Sequence, residues 1–146
     1  MTEKQTEKLA FALDADKEWP PVAIERVWCE KTGSIYQLKN VPFFISGLAF
    51  DDKFSAEPDS VNGFVSEFTL LESSGHSVVW IIEQGDLKLE QYEDELLSLG
   101  LSIEGFPRFS LHAIDVPASV DNEAVNTLMD RLESLGFALA FPVWRH

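Results

Sequence analysis

Six residues from Ser77 to Ile82, Ser-Val-Val-Trp-Ile-Ile, carry no charge and only one hydroxyl. A strand with one wet face alternates polar and apolar residues, so an unbroken run of this length fits a strand that is central in its sheet or covered on both faces. The chain downstream supplies one cover. Leu89, Tyr92, Leu96 and Leu99 recur near the helical period, and Gly100 stops that helix. "LSIEGF" and "FSLHAIDVP" read as two strands separated at Pro107-Arg108. A second helix follows, with Asp121 as its cap, Glu123 at its positive end, and Val125, Leu128, Leu132 and Leu135 in one stripe. Gly136 ends it and "FALAFPVW" reads as a last strand. The two helices close alike, in "LLSLG" and "LESLG", each running into an apolar strand. The order β-α-β-β-α-β with this echo predicts a ferredoxin-like unit over residues 76–146. Its helices cover one side of the sheet; a β unit encoded upstream, or a homodimer partner, has to cover the other.

The upstream chain is punctuated differently. Val22, Ile24, Val27 and Trp28 lead to a Thr32-Gly33 turn, after which Ile35, Tyr36 and Leu38 continue as a second strand of a hairpin. Pro58 breaks "DDKFSAEPD", Asn62-Gly63 signals a turn, and "FVSEFTLLES" alternates as another strand. Residues 22–75 therefore read as a small β-sheet or partial barrel packed with the second unit, giving an α+β protein. Residues 1–21 read as a loose arm, polar except for "LAFAL" and ended by Trp19-Pro20-Pro21.

Composition narrows the partners. The chain has 11 Lys and Arg against 25 Asp and Glu, a formal net charge of −14. A nucleic-acid backbone needs a basic patch, and the few bases here are scattered among acids, so no nucleic acid is expected as partner. An acidic body steers a basic protein toward it at long range. No apolar run reaches the ~18 residues that span a bilayer, and the first residues lack a basic-then-apolar leader, so the expectation is a cytoplasmic protein that binds no membrane. A single cysteine, Cys29, excludes an intrachain disulfide framework and a cysteine-rich zinc site. His76, His112 and His146 lack a short ligand spacing, and no P-loop or dinucleotide fingerprint is present, so neither a metal nor a cofactor is expected.

Two stretches carry the candidate site. In "ESSGHSVVW", Ser74, His76 and Ser77 bring a nucleophile and a base type together. A hydrolase nucleophile elbow, however, feeds a helix, and here a strand follows at once. A glycine that permits positive φ, flanked by serines that bond local backbone, accounts for the stretch as a turn with at most a recognition role. In "NVPFFISGLAFDD", Phe43, Phe44, Leu48 and Phe50 gather around Gly47, with Asp51 and Asp52 just after. The aromatics read as core of the β unit; the alternative is that part of the cluster is an exposed contact surface, with Phe43, Phe44, Asp51 and Asp52 as candidate binding residues.

With "VWCEKTGSIYQLKNVPFFISGLAFDDKFSAEPD", "SGHSVVWII" and "HAIDVP" in this order, the chain resembles the bacterial domain-of-unknown-function family 4265 over residues 22–142. The resemblance implies a soluble bacterial protein and brings no activity, cofactor or catalytic residue with it. It directs interest to Pro42, Phe43, Phe44, Gly47, Asp51 and the Ser74–Ser77 turn. Trp28 and Trp80 depart from the smaller apolar residues expected there. The functional expectation is a non-enzymatic acidic interaction protein, of immunity or regulatory type, that binds a basic partner. The alternative is a small-molecule-binding or weakly catalytic protein using Ser74, His76 and Ser77 in a cleft between the two units.

Overall fold

The computed structural model describes residues 4–14 and 19–146. It is a mixed α+β structure of mostly strands in two sheets, and it divides into two compact units, Met1–Ser74 and Gly75–His146. No helix among the described residues is long and apolar enough to cross a membrane.

The first unit is one six-stranded sheet. Its strands are β1 (Lys4–Ala12), β2 (Ile24–Thr32), β3 (Ile35–Leu38), β4 (Lys53–Ala56), β5 (Phe64–Val65) and β6 (Phe68–Glu72), in the order β5-β1-β2-β3-β4-β6. Lys4–Ala12, where the sequence reading expected a loose arm, is thus a full strand, in register with β2 from Lys4↔Thr32 to Ala12↔Ile24. Alternation explains it: Leu9 and Phe11 are buried while Lys8 and Ala12 are exposed, and Phe11 packs on Phe54 and Phe68 at ring separations of 5.9 and 6.1 Å. Residues 1–3 and 15–18 of the expected arm lie outside the described residues. The expected hairpin is β2–β3. "FVSEFTLLES" is not one strand but two, and they occupy opposite edges of the sheet. Val65 and Phe68 are three residues apart, a reach of about 10 Å, so the sheet must curl until its edges approach. Among the described residues the ladder does not join there, and they form no closed barrel. The curl encloses a core of Leu9, Phe11, Val27, Cys29, Tyr36, Leu38, Phe54 and Val65, with Ile45 and Leu48 from the loop after β3.

The second unit runs β7 (Ser77–Ile82), a 3-10 turn at Leu89–Tyr92, α1 (Glu93–Ser98), β8 (Ser102–Phe106), a 3-10 turn at Pro107–Phe109, β9 (Leu111–Val116), α2 (Asn122–Leu135) and β10 (Ala138–Val143). The sheet order is β10-β7-β9-β8, every neighbouring pair antiparallel. The expected first helix is shorter than its apolar period, because Leu89 and Tyr92 belong to the 3-10 turn and only Glu93–Ser98 is α-helical. In α2, Val125, Leu128 and Leu132 are buried as read, but Leu135 in the last turn is 42% exposed and Met129 fills the core instead. These helices cover Val79, Ile81, Ile114 and Val116. On the other face of the same strands Val78, Trp80, Leu111 and Ala113 are buried too.

Candidate functional site

In the first unit the alternation of β2 turns Glu25 to the same side as Val27 and Cys29, leaving it 9% exposed. Its carboxylate accepts three backbone N–H groups, from Phe43 at 2.7 Å, Phe44 at 2.9 Å and Ile45 at 3.0 Å. Burial pushes this carboxyl above its ordinary value, and the three N–H bonds pull the other way without cancelling it. Phe44 is buried, with Trp19 edge-on at 5.6 Å, while Phe43 is half-buried and tilted against it at 6.4 Å. The two phenylalanines thus sit on a segment whose backbone is fixed by one buried acid.

The acidic pair that follows has two separate tasks. Asp51 takes a left-handed φ of 67°, and its carboxylate pairs with Lys39 Nζ at 2.6 Å. Lys39 Nζ lies 5.0 Å from the centre of the Phe50 ring as well. Asp52 is fully buried. It accepts the Ala49 N–H at 2.8 Å, the Ser74 N–H at 2.9 Å, and has Ser74 Oγ at 3.0 Å. Ser74 Oγ also reaches the Phe50 carbonyl at 2.7 Å, which takes its proton. Asp52 and Ser74 therefore form one part-buried knot that ties the end of the unit to the loop before β4.

In the second unit Gly75 has φ +82°, and a Cβ there would stand 2.9 Å from Ala118 Cβ, so both backbone and space require glycine. His76 Nδ1 lies 2.7 Å from Oδ1 of Asp115, itself 5% exposed. With the aspartate ionised, Nδ1 carries the shared proton and Nε2 the lone pair. Ser77 is fully buried at the start of β7. Its Oγ accepts the Arg145 N–H at 2.7 Å, so its own proton goes to His146 Nδ1 at 2.6 Å. His146 then donates from Nε2 to the Pro117 carbonyl at 2.8 Å, and Arg145 Nη1 donates to the His76 carbonyl at 3.0 Å.

The structure gives the predicted residues these partners: Phe43 and Phe44 meet Glu25, Asp51 meets Lys39, Asp52 meets Ser74, His76 meets Asp115, and Ser77 meets His146. Each serine of the Ser-Gly-His-Ser stretch thus has its hydroxyl committed to a group other than the histidine beside it. Glu25, Asp115, Arg145 and His146 were not among the candidates. Strand alternation carries a signal for the first two: it puts Glu25 with Val27, and Asp115 with Ala113, on a buried face. Arg145 and His146 reach Ser77 from 68 and 69 residues away, and no local pattern encodes that. Among the described residues, no group of three or more His, Cys, Asp and Glu could hold a metal ion.

A structure described as a novel crystal structure of a hypothetical protein from Neisseria gonorrhoeae is similar to this chain, with a TM-score of 0.73 and 15% sequence identity over 98% of this chain and 95% of that one. At that identity the likeness shows the fold alone. No curated protein matches the chain. The family model of the domain of unknown function DUF4265 matches residues 25–139. That span begins at the buried Glu25, takes in the Asp52–Ser74 and His76–Asp115 pairs, and fills most of the chain: the protein belongs to the DUF4265 family.

Proposed function

We propose that the protein is a non-enzymatic acidic interaction protein, of immunity or regulatory type, that holds a basic partner in the bacterial cytoplasm. The observation that carries the reading is how the polar side chains of the site are used. Asp52, Ser74 and Ser77 are bonded to the fold's own backbone or to a buried neighbour, and Ser77 and Asp52 are fully buried. A nucleophile needs an accessible oxygen with a base against it, whereas an anchoring serine needs what these have. The net charge of −14 then supplies a means of attracting a basic protein. The test is to immobilise the purified chain and pass a lysate of its native bacterium over it at low and high salt. Retention of a basic protein at low salt and its release at high salt supports the reading; a retained set with no basic member sinks it. Light scattering on the same preparation reads homodimer formation.

The His76–Asp115 pair at 2.7 Å favours a second reading, small-molecule binding or weak catalysis with His76 as base. Ester, peptide and phosphoester turnover that disappears in His76→Ala, with the circular dichroism unchanged, would establish it over the first.

For the fold we infer that Gly75–His146 is a ferredoxin-like βαββαβ unit. The antiparallel order β10-β7-β9-β8 supports this, with α1 and α2 as the two crossovers.

A further inference from the structure

The helix side of the second unit has an incomplete cover. α1 has six residues, about 9 Å of helix, against the five residues of β8, about 17 Å of strand. The shortfall leaves a cavity of about 370 Å³ over the far end of β8, between that strand and the segment that enters α1. Leu89, Ile103, Phe106 and Pro107 give it apolar walls, and Glu83, Lys88, Glu90, Glu93, Ser110 and His112 its polar groups. Three carboxylates against one lysine make it a site for positive charge.

Acids are common on this protein, and the imidazole is what separates this place from the rest. His112 lies across from Gly105 in the β8–β9 ladder. Its Nε2 is 3.4 Å from Glu83 Oε2, which also accepts the Leu89 N–H at 2.7 Å. Its Nδ1 is buried and has no hydrogen-bond partner among the described residues. A buried polar atom in that condition is costly, and it calls for a group to complete it. With the ring proton on Nε2 toward Glu83, Nδ1 presents a lone pair and needs an N–H donor. A Cβ at Gly105 would stand 3.8 Å from Nδ1 and 3.9 Å from Cε1, in ordinary contact over that edge of the ring. Glycine leaves that edge without a side chain over it.

We propose that this cavity is the seat of a guanidinium group, an arginine side chain of the basic partner. The stem would lie along Leu89, Ile103 and Phe106, an N–H would meet Nδ1 of His112, and Glu83, Glu90 and Glu93 would supply the counter-charge. A guanidinium suits it better than an ammonium, because it is planar, less strongly hydrated and stacks on aromatic rings while donating from several N–H groups. The occupant rests on the basic-partner reading given above; the chemistry of the cavity does not.

The test separates the two. The full chain, with its histidines labelled with ¹⁵N, is titrated with butylguanidinium and with its uncharged isostere butylurea, and the His112 ring signals are followed by NMR. Butylguanidinium is expected to shift them saturably in the millimolar range, as a ligand this small allows, with butylurea about tenfold weaker. Glu83→Gln should weaken binding, but Glu83 also holds the Leu89 N–H. Two further variants spare the fold's hydrogen bonds: Gly105→Ala covers the ring edge, and Glu90→Gln with Glu93→Gln removes charge from two exposed positions. Each is expected to weaken butylguanidinium several-fold. No saturable shift, an equal response to butylurea, or affinity unchanged in both further variants would overturn the site. A basic protein captured equally well by the native chain and by Gly105→Ala would overturn the cavity as the partner's seat and leave the interaction reading standing. Saturable butylguanidinium binding with no basic protein retained would support the cavity and sink that reading.

Discussion

Glu25 shows how one side chain can work for and against the fold. It accepts three backbone N–H groups, so Glu25→Ala would strand donors in the wall of the core and should cost about 2–4 kcal/mol, measured from urea midpoints. Yet burial raises its pKa above the ordinary 4.5, so the folded protein keeps this proton to higher pH than the unfolded chain does. The stability that Glu25 contributes is therefore fully present below 4.5 and declines as pH rises through the raised value. Glu25→Gln has no proton to lose, so the stability of the native chain relative to that variant should fall across this window. A difference that is flat would mean that the N–H bonds balance desolvation, and one that rises with pH that they outweigh it. Two residues further along the same face, Cys29 is fully buried, and burial, helped by the charge of Glu7, pushes its thiol up to about 12. A thiol reagent at neutral pH should leave it unmodified until denaturant opens the first unit; rapid labelling of the native chain would show that this core admits solvent.

Among the elements, α2 follows from its sequence most directly. Asp121 accepts the Ala124 N–H as cap, Gly136 takes φ 114° as stop, and a period of 3.6 sets the stripe between them. Leu132 is fully buried, so Leu132→Ala should cost about 2–5 kcal/mol, while Glu133→Ala on the exposed side should leave the midpoint nearly unchanged. Equal effects would mean that the helix face is misassigned. That stripe was legible because a helix repeats its signal over 14 residues. β5 has two residues and pairs in parallel with β1, more than fifty positions earlier, so alternation had nothing to repeat and "FVSEFTLLES" read as one strand. β1 was missed for a related reason: its polar outer face resembles a tail until Leu9 and Phe11 are matched to Val27 and Glu25 on β2. The site divides in the same way. Gly75 and the strand behind it were legible as a turn entering β7, but the partners that decide what His76 and Ser77 do, Asp115 and His146, come from 39 and 69 residues away.

At the scale of the whole molecule the governing quantity is charge. With 25 acids against 11 bases, a net charge of −14 gives a negative field, the feature on which the proposed attraction of a basic partner rests. Such a field acts mainly on encounter, and salt weakens it: the screening length is about 10 Å at 0.1 M and about 3 Å at 1 M. Apolar contact behaves in the opposite way, holding or strengthening as salt rises. The association rate with a basic partner should therefore fall at least about tenfold between low and high salt, with a smaller change in dissociation, since distant charges steer approach and the buried contacts set residence. Stopped-flow measurement of both rates across an ionic-strength series checks this. If the salt dependence fell mainly on dissociation, a few close ion pairs would be carrying the complex rather than the overall field. If neither rate moved, the acidity would serve solvation alone, and the exposed apolar side chains, Trp28, Leu71 and Phe141 among them, would become the surfaces to test.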